Sequence, residues 1–333
     1  MRIAVLGAGF MGSTHAKALA QIPGVEIAAI YAHSERRALP LAEELGTQWT
    51  GELDPILRDE SIDAIDICLP TPRHRPVAES GLAAGKHVLL EKPVALTDAD
   101  AEALADLASQ TDKVFMIAHV LRFWPEYMEL AGLVKSGDYG KPVSGLAYRR
   151  QPFPAWSELF ARSDLTGGAV IDMMIHDFDA LNWIFGTPVA VTAKGVRNGR
   201  SGGWDQIQAM IDYGNASALV DGGMMMPESY PFSSNLQVLC ESGAVEYAFR
   251  AGGRSVEMGG GINELTLFPN EGDPRQIDVS QKDPYLAEVE YFAACVARGE
   301  AATRATPADA RSALQVALAA RESLESGGPI TVG

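Results

Sequence analysis

Residues 2–22 read RIAVLGAGFMGSTHAKALAQI: a short apolar stretch, three glycines within six positions, and then a segment that reads as a helix. The glycines Gly7, Gly9 and Gly12 match the GxGxxG pattern, which is meaningful where it joins a strand to a helix. There the first glycine permits a tight turn, the second lets the backbone approach a pyrophosphate, and the third lets the helix pack closely. The stretch therefore predicts a dinucleotide-binding loop.

Short apolar strands continue to alternate with helical segments over the first third of the chain, as VEIAAIYA (25–32), DAIDICLP (63–70), HVLLEKP (87–93) and VFMIAHV (114–120). This alternation predicts an α/β domain over residues 1–121, a Rossmann fold with a doubly wound parallel sheet. Extended segments joined by Gly or Asn turns then predict an α+β domain over residues 122–283 with a largely antiparallel or mixed sheet, for substrate binding and oligomerisation. Residues 284–333 read as a helical segment that we expect to pack back toward the N-terminal domain.

Composition limits the function classes. The chain has 333 residues, which suggests about two domains, and its formal net charge of −16 disfavours nucleic acid and anionic membrane as partners. The sequence has no apolar run of ~20 residues, so we expect no membrane span. The chain starts at once with a strand-like segment, so we expect no signal peptide. The three cysteines lie far apart, which favours reduced, structural thiols in a cytoplasmic protein.

The end of the second predicted strand bears on which dinucleotide is bound. An Asp or Glu about 20 residues after the glycines would accept hydrogen bonds from the ribose of NAD. This chain instead has Ala32 at the strand tip, followed by His33, Ser34 and Arg37. A hydroxyl and nearby arginines suit a 2′-phosphate, whereas Glu35 would repel one. The sequence favours NADP over NAD and leaves NAD open.

A second candidate site is GKHVLLEKP, residues 85–93, which ends a predicted parallel strand. Ligands of open α/β sheets bind at the carboxyl edge of the strands, and the proline stops the strand there. We therefore expect Lys92 to face the crevice. The alternative is that Glu91 and Lys92 form an ordinary surface ion pair.

The segment VIDMMIHDFDALNW, residues 170–183, follows two glycines and is apolar at helical spacing. A continuous helix would place Asp172, His176 and Asp179 on one face, at positions i, i+4 and i+7. A histidine holds a proton near neutral pH, and an Asp one turn away orients its ring. This face is either a solvated edge with one histidine or a place of proton transfer. Asp177 and Asp179 are expected to be structural.

These motifs together resemble the Gfo/Idh/MocA family of oxidoreductases. The resemblance rests on GAGFMG, CLPTPRHRPVAESGLAAGKHVLLEKP, LRFWPEY, GGAVIDMMIHDFDALNW and the terminal TPADARSALQVALAARESLESGGPITV. It covers nearly the full chain, and the IHDFD wording is most similar to the inositol dehydrogenases of the family.

The resemblance implies three catalytic residues, Lys92, Asp172 and His176, and a cis peptide before Pro93. His176 would take the proton of a hydroxyl, Asp172 would orient its ring, and Lys92 would donate to the same oxygen. The expected substrate-binding residues are Lys92, Arg122, Trp156, Asp172 and His176. The expected cofactor-binding residues are Gly7, Gly9, Phe10, Met11, Gly12, Ala32, His33, Ser34, Arg37, Leu69, Pro70, Thr71, His74, Glu91, Lys92 and His119.

The expected function is hydride transfer between a nicotinamide and a hydroxyl of a sugar, inositol or related polyol, without a metal. Met173 and Met174 replace the small or hydroxylated residues frequent in the family, which puts a strict inositol substrate in doubt. Two alternatives stay open: a glycosidase that uses bound NAD for transient oxidation, and a non-catalytic sugar-sensing regulator. Apolar stretches such as LVDGGMMMP (219–227) favour a homodimer or homotetramer.

Overall fold

The chain forms two units in the computed structural model, which describes residues 1–155, 158–252 and 261–333. The first unit comprises Met1–Trp124 and Lys282–Arg311, and the second comprises Pro125–Gln281 and Ser312–Gly333. The chain after residue 282 is thus divided between the two units, whereas we expected one segment over 284–333.

The strands are β1 (Arg2–Leu6), β2 (Glu26–Tyr31), β3 (Trp49–Thr50), β4 (Ala64–Ile67), β5 (His87–Glu91), β6 (Phe115–Ala118), β7 (Pro142–Pro152), β8 (Ala190–Arg197), β9 (Trp204–Asp212), β10 (Ser217–Met226), β11 (Ser233–Cys240), β12 (Gly243–Arg250), β13 (Ile262–Pro269), β14 (Arg275–Gln276) and β15 (Ile330–Thr331). The α-helices are α1 (Phe10–Leu19), α2 (Glu35–Glu44), α3 (Asp54–Arg58), α4 (His74–Ala83), α5 (Asp98–Gln110), α6 (Pro125–Lys135), α7 (Ser163–Thr166), α8 (Ala169–Asp172), α9 (Ile175–Phe185), α10 (Pro284–Arg298) and α11 (Pro307–Ser326).

The first unit contains a six-stranded sheet in the order β3-β2-β1-β4-β5-β6. All of its pairs are parallel, which confirms the predicted doubly wound sheet. The strands are buried apolar runs, as a parallel sheet covered on both faces requires.

Helix α10 completes the first unit from the far end of the chain. It begins at a cap in which the Asp283 side chain accepts the Leu286 N–H, followed by Pro284 in the first turn. It ends at Gly299 in the left-handed conformation. Its apolar residues Val289 and Phe292 belong to the same buried cluster as residues of α1 and of the parallel sheet.

The second unit contains a nine-stranded sheet in the order β14-β13-β12-β11-β7-β10-β9-β8-β15. Its pairs are antiparallel except for β7 with β10, which confirms the predicted mixed sheet. In β9 the residues Asp205, Ile207, Ala209 and Ile211 are buried and alternate with more exposed ones. One face of the sheet is therefore packed, and helices α6, α8 and α9 lie against it.

The predicted continuous helix over residues 170–183 is wrong: the structure has two helices, α8 and α9, with a break at Met173 and Met174. The N–H groups of both methionines donate to the carbonyl oxygen of Ala169, at 3.1 and 2.9 Å, so the turn is wider than an α-helical one. Asp172 therefore lies on a different helix from His176 and Asp179, and the three residues do not share one continuous helical face.

Cys68, Cys240 and Cys295 are free thiols, as predicted. No helix in the described part of the chain is long and apolar enough to cross a membrane. The expectation of a cytoplasmic protein stays a prediction.

Candidate active site

The three glycines between β1 and α1 have three different surroundings. Gly7 has a φ of +131°, and a Cβ there would overlap the carbonyl oxygen of Cys68. At Gly12 a Cβ would overlap the carbonyl oxygen of Gly7, so only glycine lets the helix start this close. At Gly9 the Cβ position has no atom within 4 Å. The open position is therefore the one where a pyrophosphate approaches the backbone, and the loop fits a dinucleotide.

This loop lies where the strand order reverses, since β2 and β3 extend from one side of β1 and β4 to β6 from the other. Ligands of doubly wound sheets bind at this point, beyond the carboxyl ends of the strands. Leu6 at the end of β1 pairs with Ile67 at the end of β4, which pairs with Leu90 of β5. The glycine loop, the loop after Ile67 and Lys92 therefore follow neighbouring strands at one edge.

The tip of β2 has no carboxylate among residues 31–34. Ala32 is buried, and the residues that follow it are exposed. The ring Nε2 of His33 lies 3.3 Å from the Tyr31 hydroxyl. Ser34 is the N-cap of α2, and its hydroxyl accepts no helix N–H. The Ser34 hydroxyl and the exposed Arg37 thus lie near the position that the ribose of the adenosine half of a dinucleotide takes in this fold.

His74 is 1% exposed and joins two loops at the sheet edge. Its Nε2 lies 2.7 Å from the carbonyl oxygen of Leu69, and its Nδ1 lies 2.9 Å from that of Pro93. Leu69 belongs to the loop after β4, and Pro93 follows Lys92. Both ring nitrogens of His74 thus contact backbone carbonyl oxygens. The contribution that His74 can make to a cofactor site is therefore to hold these two loops together. Thr71 on the same loop is half-buried.

The turn after β5 exposes one side chain. Glu91 is buried, and its Oε2 accepts a hydrogen bond from the backbone N–H of Lys92 at 2.9 Å. The Lys92–Pro93 peptide is cis, as expected. Lys92 is half-buried, whereas residues 91 and 93–95 are buried. Lys92 is therefore the residue of this turn that reaches accessible space.

Two further residues expected at the site are buried in the first unit. His119 follows β6 and is 1% exposed. Arg122 is 5% exposed, and its Nη2 lies 3.3 Å from Oδ1 of Asp309. Asp309 holds the guanidinium, so substrate contact by Arg122 stays a prediction. Trp156 lies outside the described residues.

Exposure separates the ionisable residues around the break between α8 and α9. From residue 170 to residue 181, Asp172 and His176 are half-buried and every other residue is buried. In this segment a carboxylate and an imidazole are thus the accessible groups, which makes Asp172 and His176 the candidate site residues.

The acid next to His176 has a different role. Asp177 is 1% exposed and accepts two hydrogen bonds from Arg149, from Nε at 2.9 Å and Nη2 at 3.0 Å. Burial raises the pKa of Asp177, and Arg149 opposes this shift. Asp179 is also 1% exposed. The pairing agrees with the structural role expected for Asp177.

Sequence reasoning missed a buried polar group in the first unit, formed by His15, Asp66, Glu91 and Glu288. These residues are up to 273 positions apart in the sequence. The sequence feature that could have indicated the group is an ionisable residue within an otherwise apolar strand or helix. Atoms of His15, Asp66 and Cys68 also lie within 4.8 Å of one another, a spacing that suits a metal. The distance of 3.0 Å between Nδ1 of His15 and Oδ2 of Asp66 is that of a hydrogen bond, whereas Nε2 of His15 has no hydrogen-bond partner among the described residues.

Comparison with known proteins gives two family matches. Residues 1–119 match the Gfo/Idh/MocA model described as an oxidoreductase family with an NAD-binding Rossmann fold. Residues 127–246 match the model of the GFO/IDH/MocA C-terminal domain. Together the two models cover most of both units.

Curated relatives and solved structures extend over the full chain. The chain is 26% identical to scyllo-inositol 2-dehydrogenase (NAD(+)) of Bacillus subtilis, over 99% of this chain and 96% of that one. It is 27% identical to myo-inositol 2-dehydrogenase of Thermotoga maritima, over 98% and 96% of the two chains. A crystal structure of a putative myo-inositol dehydrogenase from Sinorhizobium meliloti aligns with a TM-score of 0.82 and 25% identity, covering 100% of both chains.

Proposed function

Because the chain belongs to the Gfo/Idh/MocA oxidoreductase family, we propose that it is an NAD(P)-dependent dehydrogenase acting on a hydroxyl of an inositol, a sugar or a related polyol. The open position at Gly9, between two close-packed glycines at the sheet's switch point, carries this proposal. Gly7, Gly9 and Gly12 would hold the pyrophosphate, and the loop that His74 supports would border the nicotinamide half. When bound, the nicotinamide supplies the acceptor for the hydride of the carbon that carries the hydroxyl.

Oxidation of a hydroxyl also removes its proton, so a base is needed within hydrogen-bond reach. We assign this role to His176, since the imidazole is accessible while the residues around it are buried. Asp172, also accessible, would orient the ring and favour its charged form after proton transfer. Asp177 is held by Arg149 and is not available for this role.

Lys92 is assigned to the same hydroxyl oxygen. An ammonium donor there stabilises the negative charge that develops as the proton leaves. Glu91 supports this placement because its carboxylate binds the Lys92 backbone N–H, and the connection between Leu69 and Pro93 through His74 holds the turn from the other side.

The cofactor is assigned as NADP in preference to NAD. Support comes from Ala32 at the strand tip, where an acid would repel a 2′-phosphate, and from the uncommitted hydroxyl of Ser34. Arg36 and Arg37 are exposed, and neither forms an ion pair with another described residue that would compete with a phosphate. The scyllo-inositol dehydrogenase of B. subtilis carries NAD(+) in its name, so the preference needs its own test.

The assembly is assigned as a homo-oligomer that buries the outer face of the nine-stranded sheet. Cross-strand pairing places Leu146, Leu219 and Met210 side by side on this face, and Leu239 with Phe268 farther along it. Leu146, Met210, Leu239 and Phe268 are between 38% and 48% exposed. A second copy of the same apolar face is the occupant we propose. Within the LVDGGMMMP stretch, Leu219 lies on this face and Met225 is 42% exposed, whereas Met224 is 1% exposed and packs within its own unit.

A substrate panel tests the activity. Inositol isomers, aldoses and polyols are offered with NAD and with NADP in parallel, and the absorbance of the reduced nicotinamide is followed, with Lys92→Ala as the inactive control. We expect turnover of at least one polyol or sugar that the Lys92→Ala variant loses. Cleavage of a glycoside without a change in absorbance would identify the glycosidase, and binding of a sugar without any turnover would identify the regulator.

A further inference from the structure

A histidine is fully buried directly behind the glycine loop. His15 lies on α1, two turns from the open position at Gly9, and is 0% exposed. Its Nδ1 lies 3.0 Å from Oδ2 of Asp66, which is also 0% exposed. Its Nε2 lies 3.3 Å from Oε1 of Glu91 and 3.7 Å from Oε2 of Glu288. Three carboxyl groups from two strands and one helix thus surround one imidazole.

Glu91 connects this group to the turn that carries Lys92. One of its oxygens faces His15, and the other accepts the backbone N–H of Lys92 at 2.9 Å. On the opposite side of the imidazole, Asp66 lies two residues before Cys68, whose carbonyl oxygen packs against Gly7. Packing at Gly7 and the polar contacts of Asp66, His15 and Glu91 therefore connect the glycine loop to the backbone of Lys92.

Ionisable groups face His15 from the elements packed around it: Asp66 and Cys68 from β4 and the turn after it, Glu91 from β5, and Tyr285 and Glu288 from α10. Although burial alone lowers the pKa of His15, Asp66 raises it well above the ordinary value. Burial raises the pKa of Glu288 well above its ordinary value. Neither oxygen of Glu288 has a hydrogen-bond partner among the described residues. These shifts favour a protonated imidazole at His15 and a neutral carboxyl at Glu288.

We propose that His15 is a positioning residue: its imidazole, buried between Asp66 and Glu91, ties the helix behind the glycine loop to the turn that carries Lys92. Glu288 closes the group from α10 as a neutral acid. Binding of a dinucleotide at Gly9 and the placement of Lys92 are then coupled through one imidazole. This inference rests on the proposed dinucleotide site.

The coupling is tested with His15→Gln, and with His87→Gln as the matched control. His87 lies at the start of β5, the opposite end of the strand from Glu91, and its Nδ1 accepts the Val114 N–H at 2.9 Å. Fluorescence titration with reduced dinucleotide should give a Kd about 10-fold higher for His15→Gln, the effect of losing a buried hydrogen bond to a charged group. The dinucleotide Kd of the control should stay within about twofold of the wild-type value, a change well below the effect of losing such a hydrogen bond.

A second readout follows Lys92 itself and needs no substrate. In full-length protein labelled with 15N-lysine, the backbone amide of Lys92 is identified by its loss in Lys92→Arg. We expect this signal to move in His15→Gln and in Glu91→Gln, and to keep its position in His87→Gln. An unchanged dinucleotide Kd and an unchanged Lys92 signal in His15→Gln would overturn the inference, whereas failure of the wild type to bind dinucleotide would overturn the proposed function.

The neutral state of Glu288 is tested with Glu288→Gln, an isosteric change that also serves if His15→Gln does not fold. A raised folded-state pKa means that the folded chain keeps the proton while the unfolded chain loses it above ~4.3, so this contribution to stability falls as pH rises. Glutamine has no proton to lose. The urea midpoint of the variant should therefore rise relative to wild type between about pH 5 and pH 8. A relative midpoint that does not change with pH over this range would show that Glu288 is ionised and would overturn the arrangement.

Discussion

Arg149 forms a bidentate salt bridge with Asp177: its Nε and Nη2 donate to the two carboxylate oxygens at 2.9 and 3.0 Å. Both residues are buried, and the Tyr127 hydroxyl lies 3.3 Å from the same guanidinium. The pair ties the first turn of α9 to β7 and so fixes the backbone beside His176. The buried carboxylate of Asp177 thus helps to position the adjacent residue, His176.

Removal of this buried acid should be costly. Asp177→Ala leaves the Arg149 guanidinium buried without its counter-charge, and we expect a loss of about 3–5 kcal/mol in the free energy of unfolding. The matched control is Asp164→Ala, which breaks the pair with Arg162 between side chains that are 60% exposed. That loss should be much smaller, because water screens an exposed ion pair. Urea unfolding measures both, and similar losses would contradict the assigned role of Asp177.

The glycine loop predicts opposite effects for two similar substitutions. Gly9→Ala places a Cβ in open space, so thermal stability should stay near that of wild type while the dinucleotide Kd rises about 10-fold or more. Gly12→Ala forces the Cβ into the carbonyl oxygen of Gly7 and should lower the melting temperature by several degrees. If Gly9→Ala loses stability and keeps its affinity, the open position is not the pyrophosphate site.

Cofactor preference should follow residue 32. Ala32→Asp introduces the acid that repels a 2′-phosphate and accepts the ribose hydroxyls of NAD. The ratio of the NADP and NAD dissociation constants should shift toward NAD by about 10-fold or more, as expected for one charged interaction. A ratio that does not move would show that this loop is not what discriminates the two cofactors.

The outer face of the nine-stranded sheet should control assembly. Met210→Lys places a charge at an apolar position of this face, and light scattering at micromolar concentration should then show a smaller species than wild type. Val189→Lys is the control, because Val189 is 46% exposed, precedes β8 and lies outside the paired positions of the face. A monomeric wild type would contradict the assembly.

Local sequence features predicted the parallel sheet, the glycine loop and the turn at Lys92, because strand–glycine–helix order and a proline at a strand end act over a few residues. The break in the predicted helix escaped prediction because Met173 and Met174 are compatible with a helix. The buried group around His15 and the pair of Arg149 with Asp177 depend on partners distant in sequence, which no local pattern specifies.

His176 is the proposed base for the hydroxyl proton, and the turnover of two variants on α9 tests this role. His176→Asn keeps a polar side chain but no base, whereas Asp179→Asn changes a buried acid one turn along the same helix. Steady-state kcat is measured on the substrate found in the panel, with melting temperatures showing that both variants are folded. We predict a loss of ~100- to 10,000-fold for His176→Asn, the usual contribution of a general base, and a loss under about tenfold for Asp179→Asn. Equal and mild losses in the two variants would contradict the account.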